Sequence, residues 1–286
     1  MSDSKRTVLI TGCSDGGLGA ALAVAFHEAG LRVYATARNP AKMTYLESLG
    51  IKTLTLDVLS DSSIATCVES ITKSSGSLDI LLNNAGALYN MPVTDVSISE
   101  AKKLFDLNVW SYIAMAQAFM PLLLKSSKGM IVNQTSVTSI QALPFQSAYC
   151  ASKAAMSMFS NLQRLELEGF GITVVELKTG LVKSNLIKHQ EQGTQVSLPE
   201  GSIFWPAKEA VERAMRQDEF ATSGMDSHEW AKLVTQDLLK CKPPPVIWRG
   251  ESAGLARFAS SFPFGMFDGT TKKMGGLDIV ERILRK

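Results

Sequence analysis

The sequence predicts an α/β fold, a parallel seven-stranded sheet doubly wound with helices on both faces. Three observations carry that expectation. Short apolar, β-branched runs alternate with longer helical patterns in a regular rhythm, as repeated β-α-β units do. Each run is close to continuously apolar, the composition of strands buried on both faces. The 286 residues, 45% hydrophobic and 20% charged, can bury a full core while staying near the upper end of what one sheet organises. A single unit over 1–286 is expected.

In chain order, polar residues 1–6 give way to a first strand at 7–11, an apolar run too short for the core of an export signal. Further strands are expected at 31–37, 51–56, 78–83, 129–135 and 172–177, and a seventh at 245–249. Helices fill the gaps at 18–29, 40–48, 61–75, 99–125 and 147–169, with a looser set at 206–218 and 226–240. Gly30 and Gly50 stand where C-terminal caps belong. Within 99–125, Leu107 to Leu124 is eighteen residues without a charge, the length at which a membrane span becomes possible. Asn108, Ser111, Gln117 and Pro121 interrupt it, and Asp106 and Lys125 bracket it. A buried or subunit-interface helix is therefore expected instead. From Leu181 to Pro245 the rhythm fails. Ligands in open α/β sheets bind beyond the carboxyl ends of the strands, so the variable region 185–245 is expected to form a substrate lid.

Composition excludes several classes. Twenty-nine Lys+Arg against 27 Asp+Glu leave a net charge of +2 with no basic cluster, so a nucleic-acid partner is not expected. Cys13, Cys67, Cys150 and Cys241 lie far apart and read as reduced thiols, with no disulfide framework and no metal site. That suits a cytoplasmic protein. His27, His189 and His228 lack a nucleophile-elbow sequence, which removes a hydrolase reading. Cys150 is read as a small packing residue.

The chemistry begins directly after the first strand. Gly12-Cys13-Ser14-Asp15-Gly16-Gly17-Leu18-Gly19 runs into an apolar helix. Glycines at such a turn let backbone approach a pyrophosphate, and the helix N-terminus offers unpaired N–H groups to it. At the end of the second strand an acid would accept the ribose 2′-hydroxyl of NAD, whereas a 2′-phosphate needs a cation. No acid occurs from Ala29 through Leu46, and Arg38 stands at that strand end. NADPH/NADP+ is the expected cofactor.

Tyr149 and Lys153, four residues apart at the start of a helix, emerge on one face. An ammonium beside a phenol favours the phenolate, so the spacing predicts a tyrosine whose pKa is lowered toward working pH. Ser136 ends the fifth strand, Asn84-Ala85-Gly86 follows the fourth, and Asn108 lies in the long helix after it.

Together these motifs resemble the short-chain dehydrogenase/reductase family over residues 7 to about 184. The resemblance implies a Rossmann-type fold with strand order 3-2-1-4-5-6-7. It implies that Gly12, Ser14, Asp15, Gly17, Leu18 and Gly19 hold the cofactor pyrophosphate region, that Asp57 contacts the adenine with Val58 beside it, and that Asn84, Ala85 and Gly86 line the cofactor. Gly180, Val182 and Ser184 fit the loop that meets the carboxamide. It implies a tetrad of Asn108, Ser136, Tyr149 and Lys153. By that likeness Tyr149 protonates the carbonyl oxygen, Ser136 hydrogen-bonds it, Lys153 holds the ribose hydroxyls and Asn108 supports a water-linked proton path.

Two departures stand out. The glycine loop has one residue more between Gly12 and Gly17 than the family's usual pattern, leaving open which of Cys13, Ser14 and Asp15 faces the 2′-phosphate. Lys178-Thr179-Gly180 stands where Pro-Gly is usual. With Leu198–Ser202 and Pro245–Gly250, these departures are similar to the NADPH-dependent 1-acyldihydroxyacetone-phosphate reductase branch. That likeness implies reduction of a ketone on a bulky apolar substrate, an acyl-dihydroxyacetone phosphate or a polyketide or terpenoid natural product. It also implies a homodimer or homotetramer. An isomerase, a cyclase or a cofactor-binding sensor on the same fold is the alternative. Leu186, Ile187, Phe204 and Trp205 suggest an apolar pocket or core. Gly254 to Phe267, fourteen mostly apolar residues interrupted by Arg257, is too short to span a membrane. It is expected to pack over the pocket or a partner subunit, with a weak interfacial contact at a lipid surface left open.

Overall fold

The computed structural model describes residues 5–185, 197–217, 220, 223–263 and 265–285. Seven strands, β1 (Thr7–Ile10), β2 (Arg32–Ala37), β3 (Lys52–Thr55), β4 (Ile80–Asn83), β5 (Met130–Gln134), β6 (Thr173–Thr179) and β7 (Val246–Arg249), form one sheet. Their order is β3-β2-β1-β4-β5-β6-β7, and every pair is parallel. This is the expected Rossmann-type, doubly wound fold.

Strand alternation divides the core between the two faces. Val8 and Ile10 pack with Phe26 of α1 (Leu18–Glu28) and with Trp230 and Val234 of a helix at Ser227–Leu238. Leu9 points to the opposite face, where Ile71 of α3 (Asp61–Ser75) and Phe119 of α5 (Ser111–Leu123) join it. Gly30 and Gly50 both adopt positive φ just past helix ends, as caps require. Between them, the expected helix 40–48 is a 3-10 turn, Pro40–Lys42, followed by α2 (Thr44–Ser48). The side chain of Asn39 caps the turn by accepting from the Ala41 N–H.

The expected helix 99–125 is three pieces: α4 (Ile98–Phe105), a π-helical turn Asp106–Trp110, and α5. The Ser111 hydroxyl donates to the Leu107 carbonyl at 2.6 Å and competes with the regular helical ladder there. Among the described residues no helix is long and apolar enough to cross a membrane. Helix α6 (Ser147–Leu167) follows and packs on β6.

The variable region is of two kinds. Helix α7 (Lys208–Arg216) stands with Leu198, Phe145 and Val280 in a small separate cluster. By contrast α8, the Ser227–Leu238 helix, is a core layer against α1, with Trp230 fully buried. Phe204 meets Phe145 edge-on at 6.0 Å, while Leu186, Ile187 and His189 lie outside the described residues. Three short helices unforeseen in the sequence end the chain, α9 (Ala253–Ala259), α10 (Asp268–Met274) and α11 (Leu277–Leu284).

Candidate active site

At the carboxyl ends of the strands lies a cleft of about 740 Å³. Its position follows from topology, because chain leaving β1 and chain leaving β4 turn in opposite directions and open a crevice between them. Gly12, Ser14, Gly17, Leu18, Arg38, Asp57, Val58, Asn84, Ala85, Gly86, Ser136, Tyr149, Lys153, Gly180, Val182 and Ser184 all line it. Three expected site residues do not: Asp15, Gly19 and Asn108 sit behind its wall.

The glycine loop is packed backbone to backbone. A Cβ on Gly12 would come within 2.9 Å of the Ala85 Cα, and one on Gly19 within 2.5 Å of the Gly12 carbonyl oxygen and 2.6 Å of Asn84 Nδ2. Gly19 therefore serves the close approach of helix to loop, not the cleft surface. Asn84 Nδ2 donates to the carbonyls of Thr11 (2.7 Å) and Gly12 (3.1 Å), tying β4 to the loop. The extra residue is absorbed by a turn in which Gly17 N donates to the Ser14 carbonyl (3.0 Å) and Gly16 takes φ +73°. Asn185 fastens that turn, its backbone N–H donating to the Gly16 carbonyl and its Nδ2 to the Asp15 carbonyl, both at 3.1 Å. Of the three open loop residues, only Ser14 faces the cleft. Cys13 is buried with its Sγ on the Ile10 carbonyl, and the Asp15 N–H donates to the Lys42 carbonyl.

Beyond β2, Arg38 and Lys42 line the same end of the cleft and are both exposed. Lys42 escaped the sequence reading because the Pro40–Lys42 turn, not a strand, brings it there.

At the other end, α6 presents Tyr149 and Lys153 on one buried face. The hydroxyl of Ser136 stands close enough to the Tyr149 phenol to lower its pKa. Ser136 Oγ also accepts from the Thr138 N–H at 3.1 Å. Lys153 Nζ donates to the Gln134 carbonyl at 3.0 Å and lies 5.8 Å from the centre of the Tyr149 ring. Asn108, inside the π turn and fully buried, grips Ala87 from both sides: its Oδ1 accepts from the Ala87 N–H (3.0 Å) and its Nδ2 donates to the Ala87 carbonyl (3.1 Å). It also bonds Ser152 on α6 at 3.1 Å. Asn108 thus sets where the chain after β4 passes Lys153.

The expected lowering of the Tyr149 pKa is overturned. Burial pushes the phenol up to about 12, against the smaller lowering effect of the Ser136 hydrogen bond. The same burial lowers Lys153 to about 8. The ammonium lies 5.8 Å from the ring centre, and losing solvent is the leading effect on both groups. Stability should show this with opposite signs. Between about 8 and the ordinary 10.5 the unfolded chain binds more protons at Lys153 than the folded one, so this residue makes stability rise with pH. Between 10 and about 12 the folded chain retains the Tyr149 proton, so stability falls with pH. The difference in urea unfolding free energy between wild type and Lys153→Met, measured from pH 7.5 to 10, should change by up to about 1.4 kcal/mol per pH unit in the wild type's favour.

The substrate side of the cleft was largely missed in the sequence. Leu88, Met91, Leu143 and Phe220 line it, with Gln141, Gln146 and Gln217, and the C-terminal segment adds Ala256, Thr271 and Met274. Lys178 does not enter it; the side chain is buried and ion-paired with Glu176 at 2.6 Å. His27 and His228 are exposed, away from the site, and burial raises the Cys150 thiol.

Comparison with known proteins agrees with this geometry. The profile of the short chain dehydrogenase family matches residues 6–195. A short-chain dehydrogenase/reductase of Pestalotiopsis microspora is 57% identical over 285 residues, 100% of this chain and 99% of that one. The NADPH-dependent 1-acyldihydroxyacetone phosphate reductase of Schizosaccharomyces pombe is 36% identical over 279 residues, 93% and 92% of the two chains. Among solved structures, a short-chain dehydrogenase from Streptomyces avermitilis superposes with a TM-score of 0.77 at 25% identity, over 98% of each chain. The RhlG/NADP active-site complex of Pseudomonas aeruginosa gives 0.61 at 30% identity, over 68% of this chain and 79% of that one. With a matching profile over most of its length and relatives that align end to end, the chain belongs to the short-chain dehydrogenase/reductase family of oxidoreductases.

Proposed function

We propose that the protein is an NADPH-dependent reductase that converts a ketone on a bulky apolar substrate to a secondary alcohol. The observation that carries this is the convergence of Ser136, Tyr149 and Lys153 at one end of a cleft whose other end holds the glycine loop, Arg38 and Lys42. The residues fit a dinucleotide. Gly12 and Gly17 have no room for a Cβ beside the loop backbone, and Gln134 Oε1 and Thr179 Oγ1, on cleft-lining residues, are buried without a partner among the described residues. Gly12, Ser14, Gly17, Leu18, Asp57, Val58, Asn84, Ala85, Gly86, Gly180, Val182 and Ser184 would hold the cofactor, with Arg38, Lys42 and Ser14 meeting its 2′-phosphate. When bound, the cofactor supplies a hydride to the substrate carbon.

The chain's own part is the proton. Burial keeps the Tyr149 phenol in its donor form at neutral pH, so it can protonate the carbonyl oxygen. Ser136, beside the same phenol, orients that oxygen. Lys153 faces the phenolate that remains. The apolar wall of Leu88, Met91, Leu143, Phe220 and Met274 suits a bulky ketone. The names of the yeast reductase and of the NADP complex agree with the choice of cofactor. On this reading residues 1–286 act as one dinucleotide-binding catalytic domain, and the variable region 185–245 contributes Gln217 and Phe220 to its substrate side. Exposed Trp110, Met158, Leu162 and Leu165 on α5's approach and α6 support a homo-oligomer.

The test is NADPH oxidation, followed by absorbance, with ketones from acyl-dihydroxyacetone phosphate to polycyclic natural products. Turnover with at least one is expected. Tight NADPH binding with no net NADPH consumption on any of them would overturn the reading.

A further inference from the structure

Lys178 occupies a position where a lysine has no ordinary reason to be, inside β6 and 5% exposed. Its Nζ donates to Glu176 (2.6 Å), to Ser139 Oγ (2.7 Å) and to Ser157 Oγ of α6 (2.9 Å), and lies 5.5 Å from the centre of the Trp248 ring. The same oxygen of Glu176 accepts from Thr135 Oγ1 at 2.7 Å. Residues 176 and 178 share one face of the strand, so the pair and its hydroxyl partners form one buried polar cluster, and every charge in it is met.

The cluster is fastened to Ser136 from both sides. Thr135, held by Glu176, precedes Ser136 directly. Ser139, held by Lys178, donates its backbone N–H to the Ser136 carbonyl at 3.0 Å and closes the turn whose Thr138 N–H meets Ser136 Oγ. Neither Glu176 nor Lys178 reaches the cleft. We propose that Glu176 and Lys178 are a positioning pair, which clamps both ends of the Ser136 turn and so sets the Ser136 hydroxyl against Tyr149. Buried hydrogen-bonded ions hold geometry because moving either one out of register leaves a charge unmet in a low-dielectric interior.

The proposal extends the reductase reading and is tested both with and without turnover. Thr135→Val with Ser139→Ala cuts both links to the turn while Lys178, Glu176, Ser157 and Trp248 stay together. NADPH affinity should stay within about two-fold of wild type, while kcat falls by about ten-fold or more, as misplacing a catalytic group does. In a Ser136→Ala background the same two substitutions should cost nothing further, because residues acting through one group are not additive. A merely structural role would instead lower kcat by the same factor in both backgrounds, which overturns the proposal. Should the double variant not fold, Ser139→Ala alone lowers kcat and Ser139→Thr, which restores the hydroxyl, recovers it; equal rates for the two would be contrary. The second readout needs no substrate. Of five tyrosines, the isotope-labelled Cζ resonance lost in Tyr149→Phe reports the Tyr149–Ser136 hydrogen bond. It should move when the links are cut, even if no ketone is turned over. An unmoved resonance would sink the positioning pair, whereas a moved resonance in a protein that consumes no NADPH would sink only the reductase reading.

Discussion

Tyr149→Phe should lower kcat/KM for ketone reduction by about 10³-fold while leaving NADPH affinity within a few-fold of wild type, the size of effect a positioned proton donor supplies. The geometry makes the substitution clean. Tyr149 is buried at 8% exposure, so the ring keeps its packing beside Ala148 and Leu104. Ser136 Oγ retains the Thr138 N–H as a donor when the phenol is gone. No buried polar atom is stranded by the change, and melting temperature should scarcely move. Ligand affinity measured by fluorescence titration of NADPH, alongside steady-state rates, separates the two quantities. A variant that keeps more than about a tenth of the wild-type kcat/KM would show that the proton comes from elsewhere, because even the weakest positioned general acids contribute more than that. The high phenol pKa sharpens the expectation. A donor near 12 stays protonated through neutral pH, so the wild-type rate of reduction should not be limited by losing that proton below pH 9.

Most strands were legible because they are short apolar runs buried on both faces, a composition that depends on no distant residue, while their order was legible through the family resemblance. The glycine loop, Arg38, Ser136, Tyr149 and Lys153 were legible for the same reason: each is tied to a strand end or to a helical spacing that the sequence carries locally. What was not legible depended on residues far apart in the chain. The break at Asp106–Trp110 needs Asn108 to reach Ala87, twenty-one positions away. The direction of the Tyr149 pKa needs burial by several elements, while the spacing to Lys153 advertises only the ammonium. Lys178 stood out in the sequence only as part of Lys178-Thr179-Gly180, and its partners Ser139 and Ser157 come from a turn and a helix that only folding brings together. The C-terminal helices were hidden by Gly254, Gly265, Gly269, Gly275 and Gly276, which dilute any periodic signal, yet they deliver Ala256, Thr271 and Met274 to the cleft.

Charge reversal at Arg38 should have the second large effect. Arg38→Glu is expected to weaken NADPH binding by about 100-fold and to leave NADH binding within a few-fold of wild type, since only the former carries a 2′-phosphate for the guanidinium to grip and for a new carboxylate to repel. Arg38→Ala should fall between, at about ten-fold, because it removes the attraction without adding repulsion. The site leaves room for this difference to be read. Arg38 and Lys42 are both exposed at the cleft's edge, and no carboxylate lies between Ala29 and Leu46 to oppose them. Lys42 keeps part of the attraction when Arg38 goes, so Arg38→Ala combined with Lys42→Ala should exceed either alone. Exposure also means screening: the NADPH preference of the wild type should shrink as salt rises from 0.05 to 0.5 M, and the preference of the double variant should not. Dissociation constants for both cofactors at the two salt concentrations decide the matter. A wild type that binds NADH as tightly as NADPH, or an Arg38→Glu variant that keeps its NADPH affinity, would move the 2′-phosphate contact away from this strand end and leave the glycine loop alone to account for cofactor binding.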